Sequence, residues 1–195
     1  MNKIELKNIL NKLENGVDKF IVAGLFYGLN DSDHREQLLN LKVNMVNLEN
    51  STITLPSGRV VVMDEILKEV VTETINQKIY IKMGGGLNKA DSDYEFNPYS
   101  EYLIKTKPSK VTNNGLSPLS NAGFKKRIRA ISDFLTGDAS AITPSSLKKD
   151  GAYNLLKSQN KKWTIIEAET FLKQNGLSIR RNNLIPMLKE INGGK

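Results

Sequence analysis

One β-hairpin signal among helical patterns restricts the fold of this chain most strongly. Residues 52–63, TITLPSGRVVVM, place β-branched residues on both sides of a Pro-Ser-Gly turn, a pattern typical of two antiparallel strands. Elsewhere, apolar residues recur at the three- and four-residue spacing of amphipathic helices. The sequence therefore predicts a mixed α/β fold, mostly α-helical with a small antiparallel sheet, in a single domain over residues 1–195.

Start and stop signals divide the helical patterns into separate segments. Asp64 and Thr143 are favourable N-cap residues, and the Asn-Gly pairs at 15–16 and 175–176 are typical stops. The predicted helices span about 6–13, 17–29, 35–41, 64–80, 117–135 or 120–135, 143–157, 164–174 and 180–191. We also expect a short strand at 101–105 and a flexible loop at about 84–99.

Composition removes several classes of function. With no cysteine and a single histidine, the chain cannot form disulfides, thiolate metal sites, cysteine nucleophiles or histidine-rich metal sites. Asp31 and Asp33 lack the glycine and distal glutamate of a calcium-binding loop. The glycines at 84–86 are not followed by the Lys-Ser or Lys-Thr pair that a P-loop requires. We therefore expect no metal and no cofactor.

The sequence carries no membrane or export signal. No apolar run approaches the roughly 20 residues of a membrane span. The start, MNKIELKNILNKLENG, mixes acids with lysines where a signal peptide has an apolar centre. These features predict a cytoplasmic protein with no membrane partner.

Charge is distributed unevenly between the two halves. Residues 1–100 hold 11 Lys and Arg against 14 Asp and Glu, a net charge of −3, whereas residues 101–195 hold 17 against 7, a net charge of +10. Such an excess is typical of a surface for a polyanion, and nucleic acid is favoured because no basic amphipathic helix with bulky aromatic residues points to a membrane. The alternative is that the basic charge only aids solubility.

The stretch 143–156, TPSSLKKDGAYNLL, is a candidate phosphate site. Thr143 can cap the helix, and Pro144 needs no donor in the first turn. Lys148 and Lys149 then lie near a helix N-terminus, whose dipole attracts anions. The alternative is that both lysines belong to a solvated face.

Four collinear blocks carry a family resemblance. They are 36–71, 101–106 (EYLIKT), 116–132 (LSPLSNAGFKKRIRAIS) and 142–156 (ITPSSLKKDGAYNLL). Together they resemble the catalytic domain of tyrosine recombinases, the phage integrases and their relatives, in which a leucine-rich helix leads into a hairpin and a helix. The resemblance implies a tyrosine-recombinase catalytic-domain-like fold over nearly the whole chain. It also implies that the family's N-terminal core-binding domain is absent.

The resemblance further implies that the catalytic set is degenerate. In the family's register, the positions of the first catalytic arginine and of the H-x-x-R element are occupied by other residues. These degenerate positions are His34, Arg35, Ser145, Lys148 and Lys149. Arg59 is the nearest substitute for the hairpin lysine, and no tyrosine follows Tyr153 to act as the nucleophile. We therefore expect a pseudo-enzyme rather than an enzyme.

What survives in such a protein is the family's concave basic surface. The chain is similar to the MrpR type of lytic-cycle repressor in SPβ-like Bacillus phages, which implies binding of double-stranded DNA inside a bacterial host cell without cleavage. The expected DNA contacts are Lys107, Lys110, Asn121, Lys125, Lys126, Arg129, Lys148, Lys149, Arg180 and Arg181.

The alternative is a protein-interaction module that modulates a full-length recombinase or phage repressor. The C-terminal helix bears on this choice because Leu184, Ile185, Met187 and Leu188 form an apolar stripe that must be buried. It either packs on its own domain or joins a neighbouring copy, as in the family it resembles.

Overall fold

The computed structural model describes residues 1–29, 36–82 and 93–193. The helices are α1 (Lys3–Leu10), α2 (Gly16–Phe26), α3 (Glu36–Leu39), α4 (Glu65–Asn76), α5 (Asn121–Thr136), α6 (Pro144–Ser158), α7 (Ile165–Gln174) and α8 (Arg181–Ile191). The strands are β1 (Val46–Asn47), β2 (Thr52–Thr54), β3 (Val60–Val62), β4 (Ile79–Tyr80) and β5 (Tyr94–Glu95). Across the three described ranges, every helix is too short or too polar to span a bilayer.

Helix α2 is the centre of the fold. Its sequence, GVDKFIVAGLF, is apolar on nearly all sides, as expected for a helix surrounded by other elements. Phe20, Ile21 and Leu25 are fully buried, in a core that α1, the hairpin, α4 and α5 also share. α4 and α6 pack along α2. The predicted buried helix at 17–29 is confirmed, although it ends at Phe26.

The predicted hairpin is formed by β2 and β3. Ile53 pairs with Val61, and the buried Ile53 turns the inner face of the hairpin to the core. Gly58 has a φ of 87°, a left-handed conformation that glycine adopts without strain. β1 pairs with the other side of β2, which gives the order β1-β2-β3.

The predicted end of α4 is wrong by about one turn. The helix stops at Asn76, and Ile79 and Tyr80 form β4, which pairs with β5. Asn15 explains this ending, because its buried amide donates to the Ile81 carbonyl at 2.7 Å and accepts the Ile81 N–H at 2.8 Å. The chain after α4 is thereby held extended against the start of α2.

The predicted flexible loop at 84–99 is also wrong in its described part. Tyr94 lies in β5, stacked on Tyr80 with ring centroids 5.0 Å apart. Phe96 is buried and packs edge-on against both rings. The glycines at 84–86 and the rest of 83–92 lie outside the described residues.

The strand predicted at 101–105 does not form. A single bridge joins Lys42 to Tyr102. Lys105 instead donates to the carbonyls of Ile75 at 3.0 Å and Gln77 at 2.7 Å, and burial lowers its pKa. Carbonyls at the end of a helix lack intrahelical partners, so this lysine closes the C-terminal end of α4.

Helices α6, α7 and α8 share a second core. Leu156 of α6 and Leu172 of α7 are buried there, together with Leu184, Met187 and Leu188 of α8. The apolar stripe of α8 therefore packs on its own domain. Ile185 is the exception in that stripe, because 37% of its surface is exposed.

Candidate nucleic-acid interface

Helix α6 begins with the cap that the sequence predicts. The Thr143 hydroxyl accepts the Ser146 N–H at 3.0 Å, and the Ser146 hydroxyl accepts the Thr143 N–H at 2.9 Å. Pro144 occupies the first helical position. Because this reciprocal cap uses the Ser146 side chain, Ser145 is the serine left exposed at the helix entrance.

The structure brings Ser145, Lys148 and Lys149 together at the start of α6. Lys149 is exposed, whereas Lys148 is half-buried and interacts within the molecule. Residues three apart are neighbours on a helix surface, so Ser145 and Lys148 share one face. The other two positions that were expected to be degenerate, His34 and Arg35, lie outside the described residues.

The outer face of α5 carries three cations. Phe124, Ile128 and Ile131 are buried against the core. Lys125, Lys126 and Arg129 are exposed, as predicted. At about 100° per residue these three positions fall within a sector of about 100°, and within the described ranges none of them takes part in an ion pair. Asn121, the first residue of α5, is exposed as well. We call Lys125, Lys126 and Arg129 the α5 cationic face.

A buried ion pair that the sequence did not predict fixes α5 to α2. The Arg127 Nη1 atom lies 2.9 Å from Asp18 Oδ1, and the Asp18 side chain is fully buried. The guanidinium also lies 4.5 Å from the centroid of the Tyr80 ring and 3.4 Å from the Tyr94 hydroxyl, to which it donates. Burial disfavours its charge, but the Asp18 carboxylate outweighs burial, so the pKa of Arg127 is raised. One feature of the sequence could have indicated this role of Arg127. It lies three residues after the buried Phe124, which places it on the core side of α5.

The loop at 107–114 lies beside this ion pair. Lys107 and Lys110 are exposed, as expected of a basic loop. The Lys107 Nζ atom lies 5.3 Å from the centroid of the Tyr94 ring. The Thr112 hydroxyl donates to the Lys107 carbonyl at 2.7 Å, which closes the loop on itself. Lys107 is therefore connected to α5 through Tyr94 and Arg127.

Arg180 and Arg181 differ in their surroundings. Arg180 is exposed. Arg181 forms a two-pronged pair with Glu169, with Nε–Oε1 and Nη2–Oε2 distances of 2.7 Å. This contact lowers the pKa of Glu169 and raises that of Arg181. Arg181 therefore links α8 to α7, and a phosphate would have to compete with Glu169 for it.

Arg59, the nearest substitute for the hairpin lysine, and Tyr153, the last tyrosine of the sequence, both form hydrogen bonds within the molecule. Arg59, the residue before β3, is half-buried and donates to the carbonyl of Gly28. Tyr153 is half-buried on α6, and its hydroxyl donates to Glu190 of α8 at 2.5 Å. Both side chains thus have structural roles.

Comparison with known proteins places this architecture in a family. The family model described as MrpR, C-terminal catalytic domain, matches residues 1–175. The chain belongs to the MrpR C-terminal catalytic domain family. No curated protein sequence matches it.

A solved structure supports the same fold for this MrpR-type domain. The crystal structure of XerA recombinase is similar with a TM-score of 0.60 and 17% sequence identity, over 97% of this chain. The chain spans 62% of the length of the XerA chain. The predicted fold, resembling a tyrosine-recombinase catalytic domain, is confirmed.

Proposed function

We propose that this MrpR-type domain binds double-stranded DNA without cutting it and acts as a transcriptional regulator of the repressor type in a phage or mobile element. The observation that carries the proposal is the α5 cationic face. Its three charges point outward without carboxylate partners among the described residues. Arg127 holds the helix that presents them.

Two further features support binding to phosphates. The start of α6 presents Ser145, Lys148 and Lys149 at a capped helix N-terminus, where the helix dipole and backbone N–H groups favour an anion. The segment 101–195, which includes α5 and α6, has a net charge of +10. Phosphate contacts position a protein on DNA and supply most non-specific affinity.

The expected degeneracy of the family's catalytic positions supports binding without cleavage. A lysine at position 148 keeps a positive charge but lacks the planar fork with which arginine clamps two phosphate oxygens. Tyr153 is the last tyrosine of the sequence, and its hydroxyl is held by Glu190. Incubation with nicked or suicide DNA substrates should therefore yield no covalent protein–DNA adduct. An adduct mapped to any residue would overturn this part of the proposal.

The salt dependence of binding tests the DNA interface. The logarithm of the association constant for a random duplex should fall linearly with the logarithm of the salt concentration, by about −0.9 per neutralised phosphate. Changing Lys148 and Lys149 together to alanine should flatten this slope by roughly 1 for each phosphate that the variant no longer neutralises. The matched control changes Lys7 and Lys12 of the acidic half to alanine. It removes the same two charges and should leave the slope unchanged.

Sequence specificity is expected to depend on other residues. Asn121 and Arg129 lie on α5, a helix that could enter the major groove, so their replacement should weaken binding to a specific operator more than to random DNA. Fluorescence anisotropy with both duplexes measures the ratio of the affinity for the operator to the affinity for random DNA. If the Lys148/Lys149 variant keeps both affinity and salt slope, those lysines form only a solvated face. That result would favour the protein-interaction module instead.

A further inference from the structure

The loop before α5 carries a valine that contributes almost nothing to the core. Val111 is 94% exposed, the highest fraction of any large apolar side chain in the described ranges. Lys110, the residue before it, is exposed as well and takes part in no ion pair among the residues that the structure describes. One exposed apolar residue is ordinary on a protein surface, so the structure and the charge of the loop decide whether it has a role.

Hydrogen bonds within the loop hold it in one conformation. The Thr112 hydroxyl donates to the Lys107 carbonyl at 2.7 Å and accepts the Ser109 N–H at 3.0 Å. The Asn114 N–H donates across the loop to the Ser109 carbonyl at 2.8 Å. Val111 lies between these bonded residues, so the loop keeps its side chain on the surface.

The end of the loop has an unusual backbone that is anchored to the rest of the domain. Asn113, Asn114 and Gly115 have φ values of 46°, 54° and 82°, three consecutive left-handed residues in a region that asparagine tolerates better than most. The amide of Asn97, which follows the buried Phe96, donates to the Asn114 carbonyl at 2.7 Å. Such conformations persist only where the surrounding structure fixes them, and they concentrate at binding sites. The loop is therefore a preorganised projection.

The charge of this part of the chain selects a polyanion as the partner. The segment 102–132, which holds the loop and most of α5, contains seven Lys and Arg and no Asp or Glu. Val111 thus lies in the same acid-free segment as the α5 cationic face, and α5 begins shortly after the loop, at Asn121. A DNA duplex, with one negative charge per roughly 1.7 Å of its axis, matches such an excess of cations.

An apolar side chain on a DNA-binding loop has one chemical match on the edges of the base pairs. Both grooves present hydrogen-bond donors and acceptors, with which a valine side chain cannot bond. The exception is the C5-methyl group of thymine, which lies in the major groove and is read by apolar contact.

We propose that Val111 reads a thymine. The loop at 107–115 enters the major groove beside α5 and packs the methyl groups of Val111 on the C5-methyl group of one thymine, while Lys110 contacts a phosphate at the edge of the groove. This inference rests on the proposed DNA binding and deepens it, because it names a residue that selects one base pair. Asn121 and Arg129 on α5 then read neighbouring positions.

Removal of a single methyl group from the DNA tests the contact. Selection from a random duplex library with the full chain supplies the binding site, and every thymine of that site is replaced in turn by deoxyuridine, which lacks only the C5-methyl group. At one position the affinity measured by fluorescence anisotropy should fall about fourfold, as expected for one buried methyl group. A site in which no thymine shows this effect would overturn the inference.

A double-mutant cycle assigns the effect to Val111. Val111→Ala should weaken binding to the thymine site about fourfold and should no longer distinguish thymine from deoxyuridine, with an unchanged melting temperature because the residue is exposed. Ile166→Ala is the matched control. It removes a branched apolar side chain that is 73% exposed on α7, outside 102–132, and should keep the full discrimination. A Val111→Ala protein that keeps its affinity, or still prefers thymine, would overturn the inference and leave the valine to a protein contact.

Random duplexes separate a failure of this inference from a failure of the proposed function. Because valine neutralises no phosphate, Val111→Ala should leave the salt slope on random DNA unchanged. A wild-type protein that binds random DNA with the expected slope, but shows no coupling between Val111 and a thymine, would overturn the thymine contact alone. A wild-type protein that binds no duplex would overturn the proposed function and the thymine contact together.

Discussion

Replacing Arg127 by methionine should cost more stability than any other single change to the charged residues of α5. The change leaves the fully buried Asp18 carboxylate without the guanidinium 2.9 Å away, and Asp18 Oδ2 already has no hydrogen-bond partner among the described residues. Breaking a buried ion pair from one side costs about 3–5 kcal/mol. For a domain of this size, that corresponds to a fall in melting temperature of roughly 6–20 °C.

Two variants control for other causes. Arg129→Met removes the same charge two residues away, from an exposed position, and should change stability by no more than about 0.5 kcal/mol. The double variant Asp18→Leu/Arg127→Met exchanges the pair for apolar side chains. It should lose much less than the sum of its two single variants, because no charge stays buried alone.

Urea unfolding at neutral pH measures Arg127→Met, Asp18→Leu, their double variant and Arg129→Met against the wild type. A loss below about 1 kcal/mol for Arg127→Met would refute the argument, since the pair would then contribute no more than a surface contact. Additive losses in the double variant would refute it too, because they would show that Asp18 and Arg127 do not depend on each other.

Packing and charge elsewhere in the domain give three other predictions. Gly151→Ala places a Cβ atom against the Phe26 carbonyl oxygen, far inside van der Waals contact. Helix α6 must then shift, which should lower the free energy of unfolding by about 3 kcal/mol or more. Urea unfolding measures this loss, and an unchanged midpoint would contradict the close approach. Burial raises the pKa of Asp64, but hydrogen bonds from Lys3, the Leu67 N–H and Tyr27 outweigh it and lower the pKa. Asp64 therefore stabilises the fold above its ordinary pKa of about 4 and loses this effect as the pH falls through the lower folded value. Melting curves between pH 6 and 2 should show a smaller loss for Asp64→Asn than for the wild type; equal losses would be inconsistent with this sign. Deleting residues 179–195 should lower the melting temperature of a monomer, because α8 packs on its own domain. If light scattering instead shows that the deletion dissociates an oligomer without changing its melting temperature, α8 is exchanged between copies.

Local signals explain which elements the sequence predicted well. The hairpin turn at Gly58 and the caps at Asp64 and Thr143 are each determined by a few adjacent residues, and these features lie where they were expected. Capping and turn chemistry act over three or four residues. A sequence pattern can therefore place them without knowledge of the tertiary structure.

Non-local contacts explain the errors. The helical stripe of α4 continues to Tyr80 in the sequence, but Tyr80 stacks on Tyr94 and the buried Asn15 holds Ile81 extended. The role of Arg127 was not predicted for a related reason. This residue sits in a run of basic residues, and only its interaction with Asp18, far away in the sequence, distinguishes it from its exposed neighbours.

The same interactions show how α2 fixes the candidate DNA interface. α5 is joined to the start of α2 by Arg127 and Asp18, and α6 is joined to its end, where Gly151 approaches the Phe26 backbone. The α5 cationic face and the lysines at the start of α6 therefore project from helices that are both fixed to one buried helix. A DNA duplex whose phosphates contact both the α5 cationic face and the lysines at the start of α6 must match the distance between them, which α2 fixes. Loosening either junction should consequently weaken DNA binding even though it removes no surface charge from either set, which is the behaviour expected of a preorganised surface.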